Sequence, residues 1–137
     1  MMGTEQSRAL VRRYFDSLTA RDWDTFAAVL ADDVVYEMPQ SRERITGKER
    51  YVRFNQEYPG EWELALTRLV ADGATAAASI SFVMDGEHQV GLAFFELADG
   101  LVAQVTDFWP EPNEPPPGRE HLVERLPGRL DHFGPGR

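Results

Sequence analysis

The sequence predicts an α+β domain in which three N-terminal helices pack on one curved antiparallel sheet. Two observations carry the prediction. Apolar residues recur at helical spacing as far as Asn55, and three Asp-Gly pairs then punctuate the chain at 72–73, 85–86 and 99–100. Each pair lies between runs of β-forming residues, which is the strongest short-range hairpin signal. A length of 137 residues suits a single core and is too short for two.

The first helix runs from about Thr4 to Ala20. Leu10, Val11, Tyr14, Phe15 and Leu18 form its apolar stripe, with Arg8, Arg12, Arg13 and Asp16 mostly opposite. Asp22 is a good N-cap for a short second helix whose stripe is Trp23, Phe26, Ala27 and Leu30. Asp32-Asp33 ends it, and residues 34–38 read as a short strand stopped by Pro39. Gln40 to Ile45 reads as polar loop, and Thr46-Gly47-Lys48-Glu49 as a capping box opening a third helix that Pro59-Gly60 closes. Four strands follow in a meander, near 61–71, 74–84, 87–98 and 101–109.

Two-residue turns at the Asp-Gly pairs fix an expected register. Leu66, Leu64 and Trp62 oppose Ser79, Ser81 and Val83; these oppose Leu92, Val90 and His88; Phe94, Leu92 and Val90 oppose Val105, Asp107 and Trp109. All of them then share the concave face. The other face carries Leu69, Ile80, Phe82, Met84, Phe95, Leu97 and Phe108. Three helices cover only one side of a sheet, so the convex side is expected to pair with a second copy as a homodimer. Beyond Trp109 come Pro110, Pro112 and Pro115-Pro116-Pro117, an extended arm, then a possible short helix at Arg119–Leu126 and a Pro/Gly tail expected to be mobile.

The formal charge of −9 disfavours nucleic acid and anionic membrane as partners. With no Cys there is no disulfide, thiol nucleophile or Cys-zinc site. His88, His121 and His132 are too scattered for a metal site, so no metal or cofactor is expected. No stretch approaches the roughly 20 apolar residues of a membrane span, and Met1–Gln6 lacks the regions of a signal peptide. A cytoplasmic protein is the expectation.

The order of helix, helix, short strand, helix and meander resembles the cone-shaped fold of the nuclear-transport-factor-2-like superfamily, and most of all its SnoaL-like members. The resemblance rests on Arg13-Tyr14, Ala31-Asp32-Asp33-Val34, Gly47, and Asp99-Gly100-Leu101-Val102 leading to Asp107-Phe108-Trp109. It implies a SnoaL-like domain over residues 1–110, with 111–137 as arm and tail. It also implies roles. The chain resembles ketosteroid isomerase without gaps from Arg13 to Asp33, which puts Tyr14 on that family's oxyanion-binding tyrosine. That family's base falls on Met38, however, and its second aspartate on Leu92, so ketosteroid isomerisation is not expected. SnoaL-like cyclases carry an acid/base aspartate beyond a Gly-x-[Ile/Val] turn, and Asp107 stands there.

The candidate catalytic residues are thus Asp107, Tyr14 and, on the same expected face, His88. Each has a plain alternative. Asp107 would tie the first helix to the sheet through Tyr14 or a backbone amide, Tyr14 would be a core tyrosine, and His88 a solvated hairpin residue. The expected pocket draws Trp23, Phe26, Tyr36, Met38, Tyr51 and Phe54 from the helical half. From the sheet it draws Trp62, Ser81, Val90, Leu92, Phe94, Val105 and Trp109. Many of these aromatics would serve equally as core. The expected function is a cofactor-free acid/base enzyme, cyclase-like or isomerase-like, acting on a small apolar ketone. The alternatives are a non-catalytic binder of an apolar metabolite, or a structural dimer module.

Overall fold

Helices α1 (Thr4–Ala20), α2 (Trp23–Ala28) and α3 (Lys48–Gln56) cover one face of the sheet in the computed structural model, which describes residues 3–126. The α1 stripe of Val11, Tyr14, Phe15 and Leu18 is buried as its spacing predicts, and Ser7 joins it by donating to the Gly73 carbonyl. Arg21, in the left-handed region at φ 55°, ends α1 with its amide bonded to the carbonyls of Ser17 and Leu18. Asp22 caps α2 as expected, accepting from the Thr25 amide at 3.3 Å and its hydroxyl at 2.7 Å. The capping box expected at Thr46 does not form. Gly47 at φ 103° is the N-cap of α3 and no side chain bonds it.

The sheet has six strands: β1 (Leu30–Met38), β2 (Glu43–Thr46), β3 (Trp62–Asp72), β4 (Thr75–Met84), β5 (Glu87–Ala98) and β6 (Leu101–Phe108). Their order is β2-β1-β6-β5-β4-β3, with β2 and β3 as open edges. Two expectations are corrected here. The strand before Pro39 begins at Leu30, and the segment expected to be polar loop contains β2, paired antiparallel with β1. β1 in turn runs parallel to β6, with Tyr36 opposite Val105.

The expected register is correct for β4–β5, where Val83, Ser81 and Ser79 oppose His88, Val90 and Leu92. It is off by one in the two flanking pairs. The β3–β4 turn sits one residue late, with Asp72 opposite Thr75, and Thr67 is an extra residue between Leu66↔Ile80 and Arg68↔Ser79. Thr67 satisfies its bulge by bonding Ser79 through both the carbonyl (2.8 Å) and the hydroxyl (2.7 Å). Ala103 is a second extra residue, so Phe95 rather than Phe94 opposes Val105.

Side chains alternate strictly along strands, so each single offset exchanges faces. β3 and β6 keep the expected face, whereas β4 and β5 are inverted. Ile80, Phe82, Ala93, Phe95 and Leu97 are the buried residues. Ser81, Val90, Leu92 and Phe94 lie on the outer face, Leu92 41% and Phe94 51% exposed.

Residues 110–126 contain no helix or strand. Arg119–Leu126, expected as a possible helix, forms turns and irregular chain. The tail beyond, with His132, lies outside the described residues. None of the described helices is long and apolar enough to cross a membrane.

Candidate functional site

A cavity of about 410 Å³ opens between α1, α3 and the inner face of the sheet. Tyr14 and Phe15 line it, and their rings pack with that of Phe95 at centroid separations of 4.9–5.6 Å and near-perpendicular angles. Trp62, Phe82 and Trp109 form one wall, with Trp62 and Phe82 stacked at 6.0 Å and Phe82 and Trp109 at 5.3 Å. Trp109 lies against Gly91, where even a methyl group would come within 2.6 Å of its ring. Its backbone amide donates to Gln40 Oε1, which ties the β1–β2 turn to the end of β6.

Asp107 is buried and lines this cavity. The Tyr36 hydroxyl donates to its Oδ2 at 2.5 Å. The parallel register explains the meeting. Tyr36 is level with Val105 on the adjacent strand, so Asp107 is its diagonal neighbour on the same face. Tyr51 of α3 stacks on Tyr36 with centroids 4.5 Å apart, and the Tyr51 and Tyr14 hydroxyls bond each other. Three phenols and one carboxylate thus share one apolar chamber.

Burial raises the Asp107 pKa from 3.8 to about 7, and the Tyr36 hydrogen bond opposes this only partly. The phenols of Tyr14, Tyr36 and Tyr51 are all pushed well above 10, first by burial and then by neighbouring charge, that of Asp107 included. They therefore remain protonated donors at any working pH, while Asp107 changes charge near neutrality. The Tyr14–Tyr51 pair owns two hydroxyl protons and their mutual bond uses one. The other is free to serve an oxygen in the cavity.

Of the residues expected here, Asp107, Tyr14, Tyr36, Met38, Tyr51, Phe54, Trp62 and Trp109 line the cavity. Phe26 and Val105 are fully buried in the core instead. Trp23 lines a separate surface hollow with Arg21. His88 is exposed at the β4–β5 hairpin opposite Val83. It joins Ser81, Val90, Leu92 and Phe94 on the outer face, so it has no access to Asp107. Because Leu92 faces outward, its lack of a carboxylate bears on nothing inside the pocket.

Sequence reasoning missed Phe82 and Ile80, through the inverted face, and the polar lining of Gln40, Ser41, Glu43, Asn55, Gln89 and Glu111. It also missed Tyr36 as the partner of Asp107. No local signal reports a parallel register between strands 71 residues apart. Among the described residues no set of His, Asp or Glu side chains gathers as metal ligands.

The SnoaL-like domain model matches residues 11–105. No curated protein matches the sequence. Among solved structures, a Kribbella flavida protein provisionally named a ketosteroid isomerase is 62% identical, covering 96% of this chain and 97% of its own, with a TM-score of 0.90. An epoxide hydrolase of M. tuberculosis described as LEH-like is 26% identical over 78% of this chain and 84% of its own, TM-score 0.67. A Pseudomonas putida protein provisionally named a polyketide cyclase is 26% identical over 80% and 93%, TM-score 0.65.

Proposed function

The chain belongs to the SnoaL-like family, and from that premise we propose that its pocket is the site of a cofactor-free proton-transfer enzyme acting on a small apolar ketone. The observation that carries this reading is the buried Asp107, titrating near neutrality beside phenols that keep their protons. Ionised Asp107 takes a proton from the carbon α to the carbonyl. The C–H electron pair becomes the enolate, whose oxygen accepts the free proton-bearing donor of the Tyr14–Tyr51 pair. Protonated Asp107 then returns its proton to carbon, at the same or a conjugated position. Where the substrate bears a second carbonyl, the enolate carbon instead attacks it, the C=O π pair moves to its oxygen, and that alkoxide takes the proton from Asp107 as the ring closes. Tyr36 holds the carboxylate in place throughout.

The names of similar proteins span isomerase, cyclase and epoxide hydrolase, all of them names of enzymes. Ketosteroid isomerisation in that family's own manner is not proposed, because Met38, a lining residue, stands at the sequence position on which that family's base falls. The test is deuterium exchange at the α carbon of a panel of apolar aryl ketones, followed by NMR in heavy water. The exchange rate is expected to rise with pH through about 7 and level off above it, as Asp107 ionises. Saturable binding with no exchange above the buffer rate would leave a binding protein.

Assembly extends the same reading. We infer that two copies pair through the outer face, where Phe94 and Phe108 form a T-shaped pair at 5.9 Å beside Leu92. With Phe94 51% and Leu92 41% exposed, the arm up to residue 126 leaves this patch open. Phe94→Glu is expected to convert a dimer to a monomer in sedimentation at micromolar concentration. A wild type that already sediments as a monomer would refute the pairing.

A further inference from the structure

The lining of the cavity is one-sided in charge. Asp107, Glu43 and Glu111 all contribute to it, and among the described residues no Lys, Arg or His does. Glu43 begins β2 and Glu111 follows Trp109. The bond from the Trp109 amide to Gln40 brings these two segments together at the mouth. Among the described residues neither glutamate belongs to an ion pair. Arg44, next to Glu43, is engaged by Glu37 at 2.8 Å and lines no part of the cavity.

An anion entering the cavity meets carboxylates, and among the described residues no cationic side chain lines it to replace the anion's water. A cationic amine there meets two carboxylates, with the aromatic rings of Trp109 and Tyr58 in the same lining. Resting on the ketone-enzyme reading, we propose that the pocket takes an apolar ring compound bearing one cationic amine, held with its amine at the Glu43–Glu111 mouth and its ring against Trp62. Neutral congeners bind more weakly. Carboxylates, sulfates and phosphates are rejected, acyl carriers with phosphate-bearing arms included.

The experiment uses the full chain and three probes built on 2-acetylnaphthalene. At the far end of the ring they carry a dimethylaminomethyl, a methyl or a carboxylate group. Calorimetry at pH 8 and low salt is expected to rank them in that order, with at least about tenfold in Kd between the first and last. The double variant Glu43→Gln/Glu111→Gln is expected to weaken the amine about three- to fivefold while the methyl probe keeps its affinity. A carboxylate bound as tightly as the methyl probe would overturn the proposal. So would an amine advantage that survives the double variant, or no saturable binding by any of the three. The two readings fail separately: absence of α-carbon exchange with the charge ranking intact removes the enzyme and leaves this selectivity. Exchange without the ranking does the reverse.

Discussion

Asp107→Asn is expected to abolish α-carbon exchange, by a factor on the order of 10²–10⁴, while making the protein more stable above neutral pH. Asparagine keeps the shape and still accepts from Tyr36, but it takes no proton. The stability gain follows from the direction of the pKa shift. The folded carboxyl titrates near 7 and the unfolded one near 3.8. Between those values the folded chain holds a proton that the unfolded chain has released, so stability is lost as pH rises through the window. Above about 7 the whole penalty applies, on the order of a few kcal/mol at most. Melting curves at pH 5 and pH 8 should therefore diverge for the wild type far more than for the variant. A variant that melts lower at pH 8, yet exchanges at the wild-type rate, would place Asp107 in the scaffold. The proposed activity and the stability are thus set against each other on the same group: the ionised form that the proposed reaction needs is the form the fold tolerates least.

The second large effect belongs to Gly91→Ala. A Cβ at this position falls within 2.6 Å of the Trp109 ring and 3.0 Å of Ile80. The ring has no room to yield without leaving the wall it forms with Phe82. Gly91 sits in extended chain within β5, so the cost is one of packing rather than of backbone conformation. Overpacking of this kind typically costs about 1–3 kcal/mol, which lowers the melting temperature by several degrees in a domain of this size. Ligand affinity should fall with it, because Trp109 lines the pocket. The check is a thermal melt beside calorimetry with the methyl probe. An unchanged melt and an unchanged Kd would show that the ring moves freely.

Much of this architecture is legible in the sequence. Val11, Tyr14, Phe15 and Leu18 announce the buried side of α1 by spacing alone, and Asp22 announces the start of α2. The Asp85-Gly86 and Asp99-Gly100 turns lie where expected, with both residues of each at positive φ. What sequence patterns did not carry was parity. Thr67 and Ala103 are ordinary strand residues, and nothing in their chemistry marks them as extra. Each moved one side of a pairing by one position, which was enough to send Phe94 and Leu92 outward and Phe95 inward. The sequence nonetheless places Asp107 in the pocket, because β6 keeps its expected face. The sequence also places its partner Tyr36 in the pocket, but their contact depends on a strand pairing with no local code.

That pairing has a consequence for how the molecule comes into being. The three hairpins of the meander close over short loops and can form as soon as their own residues exist. The seam between β1 and β6 joins Tyr36 to Asp107 across 71 residues, so closing it carries the largest entropic cost in the sheet. During synthesis, β1 must wait for the last strand, the edge that β6 fills left unpaired until residue 108 has been made, whereas α1 already has β3 to pack on. The chamber therefore has no partly working precursor. Carboxylate, phenols and wall come together in the closing step of folding, and a chain that stops short of β6 has hairpins but no site.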